Sequence, residues 1–510
     1  MHLFKQKLNG AAILGQTGLI LHVPAAMAAI TMLIALVFGE WFALIPFGTI
    51  AVVTCALGQI AYRLGKKARA AHLWDAMLIA GLSWILCSFF AAIPLYWIAQ
   101  TTAPSNTLAV FAVPTNALFE AFSGFTSTGL TMMQGEDALP FVLQWWRSFL
   151  EWIGGLGLVV FILALTHLNK QGFQLYYAEA RSEKMMASMT KTAHWIFGIY
   201  LAYTAVGCLL FFALGMPLWE AINHAMTVIS NGGFTIGTSS FQDYSLPIQI
   251  VALFMMVIGA MSFAIHFRVI REKEFFILWK SLQHRLLYFF LIGGGVLLFL
   301  LHLWNQESSS WSASLFEWTS ALTTCGFSAA PLSSFSPMVK LLLIMAMFVG
   351  GTTGSTSGGL KIKRLIYLTN GIFLRLQSIT TSKEKKIMKK TQAITDEPPG
   401  IALPKTAKSE RLVTAEVLFS LWAATLFLAW FLLLHYIPSG KALDALFEVT
   451  SAMSNVGLST GIVSPTLATF PKWLFIALMW LGRLEIIPAL VLLFTFPLMI
   501  TRKKRYGKKS

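Results

Sequence analysis

Charge is what this chain has least of. Only 12% of its 510 residues are Asp, Glu, Lys or Arg, about half the ~25% usual in a soluble protein. That scarcity, with a mean hydropathy of +0.68, excludes an ordinary soluble domain. Cysteine is nearly absent too: Cys55, Cys87, Cys208 and Cys325 lie in or near apolar segments and form no Cys-x-x-Cys pair, which excludes a disulfide framework and a thiolate metal site. The chain has no His-Glu-x-x-His or His-x-x-Glu-His motif, and the expectation is that it is not an enzyme and holds no cofactor. A nucleotide phosphate loop is excluded as well, because the Gly-rich stretch ends Gly359-Leu360 where that motif needs Gly-Lys-Ser/Thr.

Long apolar runs are abundant, many approaching the ~20 residues that span a bilayer. The first, near 18–38, is too long for the core of a signal peptide and has no clear cleavage site, so it reads as a membrane helix. The fold class expected is an all-α polytopic membrane protein. The net charge of +16 resembles a nucleic-acid signal until the charges are placed. Arg147, Lys340, Lys441, Lys472 and Arg483 fall on or near the outer side or inside a span, and the other 33 of the 38 Lys and Arg fall on one side. By the positive-inside rule that side is cytoplasmic, both termini included, and no nucleic-acid partner is needed.

The order of the apolar segments divides the chain into a two-helix unit (1–70), three helix–loop–helix units (71–168, 169–270 and 271–376), a cytoplasmic linker (377–411) and a fourth unit (412–510). The helices are expected near 18–38 and 41–62, then in pairs near 76–99 and 142–165, 195–214 and 247–267, 286–304 and 338–349, and 412–436 and 472–500. Each pair encloses a segment too short and polar to cross. Three of these segments repeat one pattern: Leu118-Phe119-Glu120, Leu315-Phe316-Glu317 and Leu446-Phe447-Glu448, each with a glycine nine residues after the Glu, at Gly129, Gly326 and Gly457. The second unit aligns on Gly233 and has His224 in place of Glu. An internal repeat of this kind speaks directly to architecture.

Each repeat reads as a short helix of about ten residues followed by an extended piece. The pieces are Thr126-Ser127-Thr128-Gly129, Ser230-Asn231-Gly232-Gly233, Thr323-Thr324-Cys325-Gly326 and Ser454-Asn455-Val456-Gly457. That is the outline of a re-entrant pore loop. Glycine reaches dihedrals that clash for other residues, and a ring of backbone carbonyls can replace an ion's hydration shell. One chain with four such loops can build a ring alone, here with one glycine per loop.

The stretch Gly350 to Gly359 is wholly Gly, Ser and Thr, with glycines at 350, 351, 354, 358 and 359. Each Gly costs a helix ~1 kcal/mol relative to Ala, so the helix before it should unwind. Unwound backbone at membrane depth is tolerated only when buried in protein or lining a water-filled cavity, which points to a pore or substrate path. A loop just outside the bilayer is the plainer alternative.

These motifs, with Trp152-Ile153-Gly154-Gly155-Leu156-Gly157 and Gly482-Arg483-Leu484-Glu485, resemble the Trk/Ktr/HKT superfamily of potassium transporters over nearly the whole chain. The two extra N-terminal helices make it most similar to the TrkH-type translocating subunit of bacteria. The resemblance implies a pseudo-fourfold pore with filter glycines Gly129, Gly233, Gly326 and Gly457, and K⁺ held at the filter residues. It implies an intramembrane gating loop formed by Gly350, Gly351, Gly354, Gly358 and Gly359, with Arg483 facing the pore beside it. It further implies a homodimer in the bacterial inner membrane, lipid around it, and a cytoplasmic ring of nucleotide-binding subunits of the TrkA or KtrA type.

Several residues carry two readings. Arg483 is either a fixed charge against cations below the filter or a buried ion pair, its partner being a Gly-loop carbonyl or a carboxylate on another helix, since Glu485 two residues on does not share its helix face. Glu120, Glu317 and Glu448 are read chiefly as caps of their own helix N-termini, against a cation-attracting ring. His224 is read as packing. The hydroxyls of Thr126, Thr128, Ser230 and Thr324 either ligate ions or bond their own helix ends. Lys361, Lys363 and Arg364 mark the cytoplasmic interface or couple a partner to the loop. The linker carries Lys383 to Lys386 and is an extended tether or a docking strap. The alternative function is an ion-coupled secondary transporter, K⁺/H⁺ or K⁺/Na⁺ symport or another solute. It is disfavoured because one helix is read as broken, whereas such folds break helices in corresponding positions of two halves.

Overall fold

The computed structural model describes residues 8–66, 72–102, 106–133, 135–158, 160, 163, 189–307, 310–380 and 405–495. The basic clusters at both chain ends, the basic segment from 170 to 188 and most of the linker lie outside them.

The chain is an all-α polytopic membrane protein; no strand occurs among the described residues. Helices α1 (Gly10–Val37) and α2 (Trp41–Gly65) are both long and apolar enough to cross a membrane. They touch closely where Gly18 faces Gly58, small residues letting two membrane helices approach. Glu40, between them, accepts the N–H groups of Phe141 at 2.8 Å and Val142 at 2.7 Å. The pair is thereby fastened to the first turn of a later helix.

Four units follow. The first is α3 (Leu73–Thr101), the short α4 (Pro114–Phe125) and α5 (Phe141–Leu156). The second is α6 (Met189–Ala213), α7 (Leu218–Ile229), and α8 (Leu246–Ala260) bent by 100° into α9 (Phe263–Glu272). The third is α10 (Leu282–Trp304), α11 (Trp311–Thr323), α12 (Pro337–Val349) and, past the Gly-rich stretch, α13 (Ile362–Thr380). The fourth is α14 (Lys405–Leu434), α15 (Ala442–Met453), and α16 (Thr469–Arg483) bent by 117° into α17 (Ile487–Thr495).

The short helices α4, α7, α11 and α15 have 12 or 13 residues. At about 1.5 Å per residue they reach under 20 Å, too short for a ~30 Å hydrocarbon core. Each wedges between the second helix of its own unit and that of the unit before: α4 against α5 and α16, α7 against α8 and α5, α11 against α12 and α8, α15 against α16 and α12. This rule, applied four times, closes the units into a cycle.

Two sequence expectations change here. The first span begins at Gly10 rather than near 18. More important, every second helix is broken, not the third alone. Gly157 ends α5 at φ +93°, Met261 and Ser262 separate α8 from α9, and Glu485 and Ile486 stand at φ +54° and +68° after α16. The last span was expected to run unbroken from 472 to 500. It stops at Arg483.

Candidate functional site

The four short helices end alike. The residue two before each key glycine takes a left-handed conformation: Ser127 (φ 50°), Asn231 (50°), Thr324 (58°) and Asn455 (52°). The next N–H then turns back to a carbonyl of the helix: Thr128 to Ser123, Gly232 to Thr227, Cys325 to Ser320 and Val456 to Ser451, at 2.9–3.0 Å. This is a Schellman cap, and it aims the following peptide away from the helix axis. Gly129, Gly233, Gly326 and Gly457 follow at φ +81° to +97°.

These glycines are obligatory for a second reason. The side-chain position of Gly129 is filled by the Gly232 carbonyl oxygen, that of Gly233 by Cys325 O, that of Gly326 by Val456 O, and that of Gly457 by Thr128 O. Each filling carbonyl belongs to the residue just before the next unit's glycine. The four loops therefore form a closed ring of backbone, in which any Cβ would collide with a neighbour's oxygen.

The hydroxyls of Thr126, Thr128, Ser230, Thr323 and Thr324 are engaged by protein. Thr126 donates to Phe122 O at 2.7 Å and lies 2.7 Å from Thr128 Oγ1. Ser230 donates to Thr227 O and Thr323 to Thr319 O, and Thr324 Oγ1 accepts from Gly358 N–H at 2.6 Å. Of the two hydroxyl readings, local bonding describes Thr126 and Ser230. Thr324 and Thr128 reach other segments, the latter receiving Asn455 Nδ2 at 2.9 Å.

The three glutamates of the repeat do not cap helix N-termini. Glu120, Glu317 and Glu448 sit inside their helices, fully buried, and catch the chain as it leaves the ring. Glu120 accepts Met132 N–H at 3.0 Å and Thr131 Oγ1 at 2.9 Å. Glu317 accepts Ala329 and Ala330 N–H at 2.6 and 3.0 Å. Glu448 accepts Thr460 and Ile462 N–H at 2.8 and 3.2 Å and Ser459 Oγ at 2.6 Å. The capping expectation fails because these acceptor-seeking N–H groups lie 12–14 residues ahead, brought back only by the fold. Arg147 pairs with Glu120 at 2.7 Å with both side chains buried, an interaction sequence reasoning missed. His224 packs among Phe241, Tyr244 and Phe327, as expected.

Below the ring, the Gly-rich stretch crosses from unit to unit. Thr352 N–H and Oγ1 reach Ala260 O at 3.0 and 2.9 Å. Thr356 Oγ1 donates to Gly259 O at 2.8 Å and Ile229 O at 3.1 Å, and Gly359 N–H reaches Ser454 O at 3.0 Å. Gly350, Gly354 and Gly359 adopt φ of +69°, +81° and +71°, and Gly351 sits tight against Ser357. The stretch is buried or half-buried in protein along its whole length.

Arg483 donates to Thr356 O at 3.4 Å, to Gly155 O at 3.2 Å and to Gly154 O, and lies 5.3 Å from the Trp84 ring. It thus ties the Gly-rich stretch of unit 3 to the break in unit 1. The loop-carbonyl partner was expected; the unit 1 carbonyls were not. Glu485 pairs instead with Arg364, and Lys361 turns back onto Ser357 O. Arg483, Lys361 and Asn455 line one pocket with Gly354, Ser355 and Gly358.

Residues 47–497 match the family model described as TrkH, cation transport protein. An uncharacterized cation transporter of Methanocaldococcus jannaschii is 32% identical over 433 residues, 84% of each chain. A Trk system potassium uptake protein TrkH of Halomonas elongata is 30% identical over 496 residues, 94% of this chain and 97% of that one. Among solved structures, the potassium transporter TrkH from Vibrio parahaemolyticus superposes with a TM-score of 0.78 at 25% identity, covering 95% of this chain and 99% of that one.

Proposed function

The chain belongs to the TrkH family of cation transport proteins, and on that premise we propose that it takes up potassium across the cytoplasmic membrane through a channel-like pore. The observation that carries this reading is the closed ring: four backbone carbonyls, from Thr128, Gly232, Cys325 and Val456, each locked against the preceding loop's glycine. Oxygens so fixed can replace the water shell of a cation. K⁺ then binds at the loop residues 126–129, 230–233, 323–326 and 454–457. No chemical step is required, and inward flux draws on the membrane potential, worth about 2.3 kcal/mol per charge per 100 mV.

The Gly-rich stretch is the gate in this reading. It crosses beneath the ring and is held by hydrogen bonds to units 2 and 4 rather than by a helical ladder of its own, so it can leave without unfolding a helix. Arg483 places a cation beside it and opposes K⁺ while the stretch is seated. A homodimer, and a cytoplasmic ring of nucleotide-binding subunits acting through Lys361, Lys363 and Arg364, complete the proposal. Breaks in all four second helices keep a coupled secondary transporter as the second reading, since discontinuous helices serve such folds. The breaks recur four times at one level, however, rather than in two halves.

The test is ⁸⁶Rb⁺ uptake into K⁺-loaded proteoliposomes by the wild type, Gly129→Ser and Arg483→Ala. Competition by K⁺ but not Na⁺, altered competition in the Ser variant and faster flux in the Ala variant are expected. Uptake that requires a proton or Na⁺ gradient in every variant favours the symport reading.

A further inference from the structure

In units 1, 3 and 4 a glutamate nine residues before the ring glycine catches the backbone as it leaves the ring. Unit 2 has His224 there, and its ring nitrogen Nδ1 is spent on Glu220 O at 2.9 Å. The N–H groups those glutamates take lie at least twelve residues ahead of them, whereas loop 2 has one to satisfy directly after Gly233, that of Phe234. Its acceptor comes from another unit. Both carboxylate oxygens of Glu151, on α5, take Phe234 N–H at 3.0 and 3.1 Å.

Glu151 is fully buried and stands where the two loops meet. Its carboxylate closes off the side-chain position of Gly232, whose carbonyl fills that of Gly129, and the nearest Glu151 oxygen is 3.5 Å from the Gly129 side-chain position. The backbone carbonyl of the same residue accepts Ser127 Oγ, the left-handed residue of loop 1, at 3.0 Å. One residue thus holds loop 1 by its main chain and loop 2 by its side chain. One turn earlier, Arg147 repeats the arrangement, pairing with Glu120 of unit 1 and donating to Thr235 O of unit 2 at 2.9 Å.

We infer that Glu151 is a positioning residue for ion discrimination: it clamps the exit of loop 2 from the neighbouring unit, where His224 supplies no carboxylate, and holds the Gly232 carbonyl in register with the ring. The inference rests on the ring being the ion-selective element. It makes the exit of loop 2 answer to a carboxylate of a different unit, where the exits of loops 1, 3 and 4 answer to one of their own.

The test is Na⁺ competition against ⁸⁶Rb⁺ uptake by the full-length protein in proteoliposomes, with K⁺ competition measured alongside. Glu151→Ala is expected to raise the effectiveness of Na⁺ relative to K⁺ about tenfold, the scale of leaving one buried N–H unsatisfied. Glu151→Gln keeps an acceptor in place and is expected to stay within about threefold of wild type. Glu151→Ala with His224→Glu gives unit 2 the glutamate of the other three, whose reach of twelve residues leads to 236 rather than to Phe234, so discrimination should stay low, and full recovery would overturn the role of the Phe234 N–H. Should Glu151→Ala not fold, Glu151→Asp withdraws the carboxylate by one methylene and is read in its place, with an intermediate loss expected. Wild-type discrimination in the folded Ala or Asp variant, while Gly233→Ser destroys it, overturns the clamp but leaves the ring. Wild-type discrimination in Gly233→Ser as well overturns the ring reading, and the inference with it.

Discussion

In the ring, four loops of unlike sequence take one conformation; in the floor beneath, four breaks at equivalent positions take four. Ser127, Asn231, Thr324 and Asn455 share little but their left-handed φ and the capping bonds that follow. Below them lie a terminal Gly157, a sharp bend at Met261 and Ser262, a ten-residue Gly-rich crossing and a bend at Glu485 and Ile486. The reason lies in what each touches. A ring glycine is filled by the next loop's carbonyl, so no loop can change without its neighbour. Gly154, Gly259 and Gly482 pack instead against Phe125 O, Ile229 O and Met453 O, the ends of their own units' short helices. Breaks that answer mainly to their own unit are free to diverge, and one of them has become a crossing that reaches units 2 and 4.

The widest separation of the two regions should come from Gly326→Ala. The new Cβ meets the Val456 carbonyl at a positive φ, a strain of about 1–3 kcal/mol before any clash. Loss of K⁺ over Na⁺ preference by at least about tenfold is expected in ⁸⁶Rb⁺ competition. Arg483→Ala acts on the floor alone: flux should rise several-fold with the K⁺/Na⁺ ratio unchanged, and a changed ratio would join what the comparison separates. Thr356→Val removes the hydroxyl bonds to Gly259 O and Ile229 O. At about 1 kcal/mol for a hydrogen bond, roughly a fivefold rise in flux is expected, again with unchanged preference.

The smallest effect should lie outside both regions. Burial alone would raise the Glu307 carboxyl, but hydrogen bonds from Ser336 and His302 outweigh it and hold it below its ordinary value. A lowered carboxyl stabilises the fold above its unfolded pKa and loses that contribution as pH falls through the folded one. Thermal melts below pH 5 should therefore decline less steeply in Glu307→Gln than in wild type, with transport at pH 7 unaltered.

The ring was legible because it repeats: Leu-Phe-Glu and a glycine at one offset, seen three times, needs no tertiary information. The Gly-rich break was legible because five glycines cannot sit in a helix. The other three breaks were hidden by composition. Gly259-Ala260-Met261-Ser262 continues an apolar run, and its one signal is Ser262, whose hydroxyl accepts Ala264 N–H and starts α9. In unit 1 the signal was Gly154, Gly155 and Gly157 together. The clamps of Glu120, Glu317, Glu448 and Glu151 could not be read forward, because a carboxylate's partner was a backbone N–H and every residue but proline carries one. Only the fold says which.

The wedge rule that closes the cycle also sets an order of manufacture. Loop 4 must reach back to loop 1, Asn455 to Thr128 across 327 residues, and Gly457 is the last of the four glycines to leave the ribosome. Until it does, loop 1 lacks the neighbour against which its Thr128 carbonyl and hydroxyl pack. The first three units must therefore wait, inserted but open on one side, for the fourth to arrive. The keystone of this arch is its final quarter, and a chain stopped short of Gly457 would be three piers with no vault.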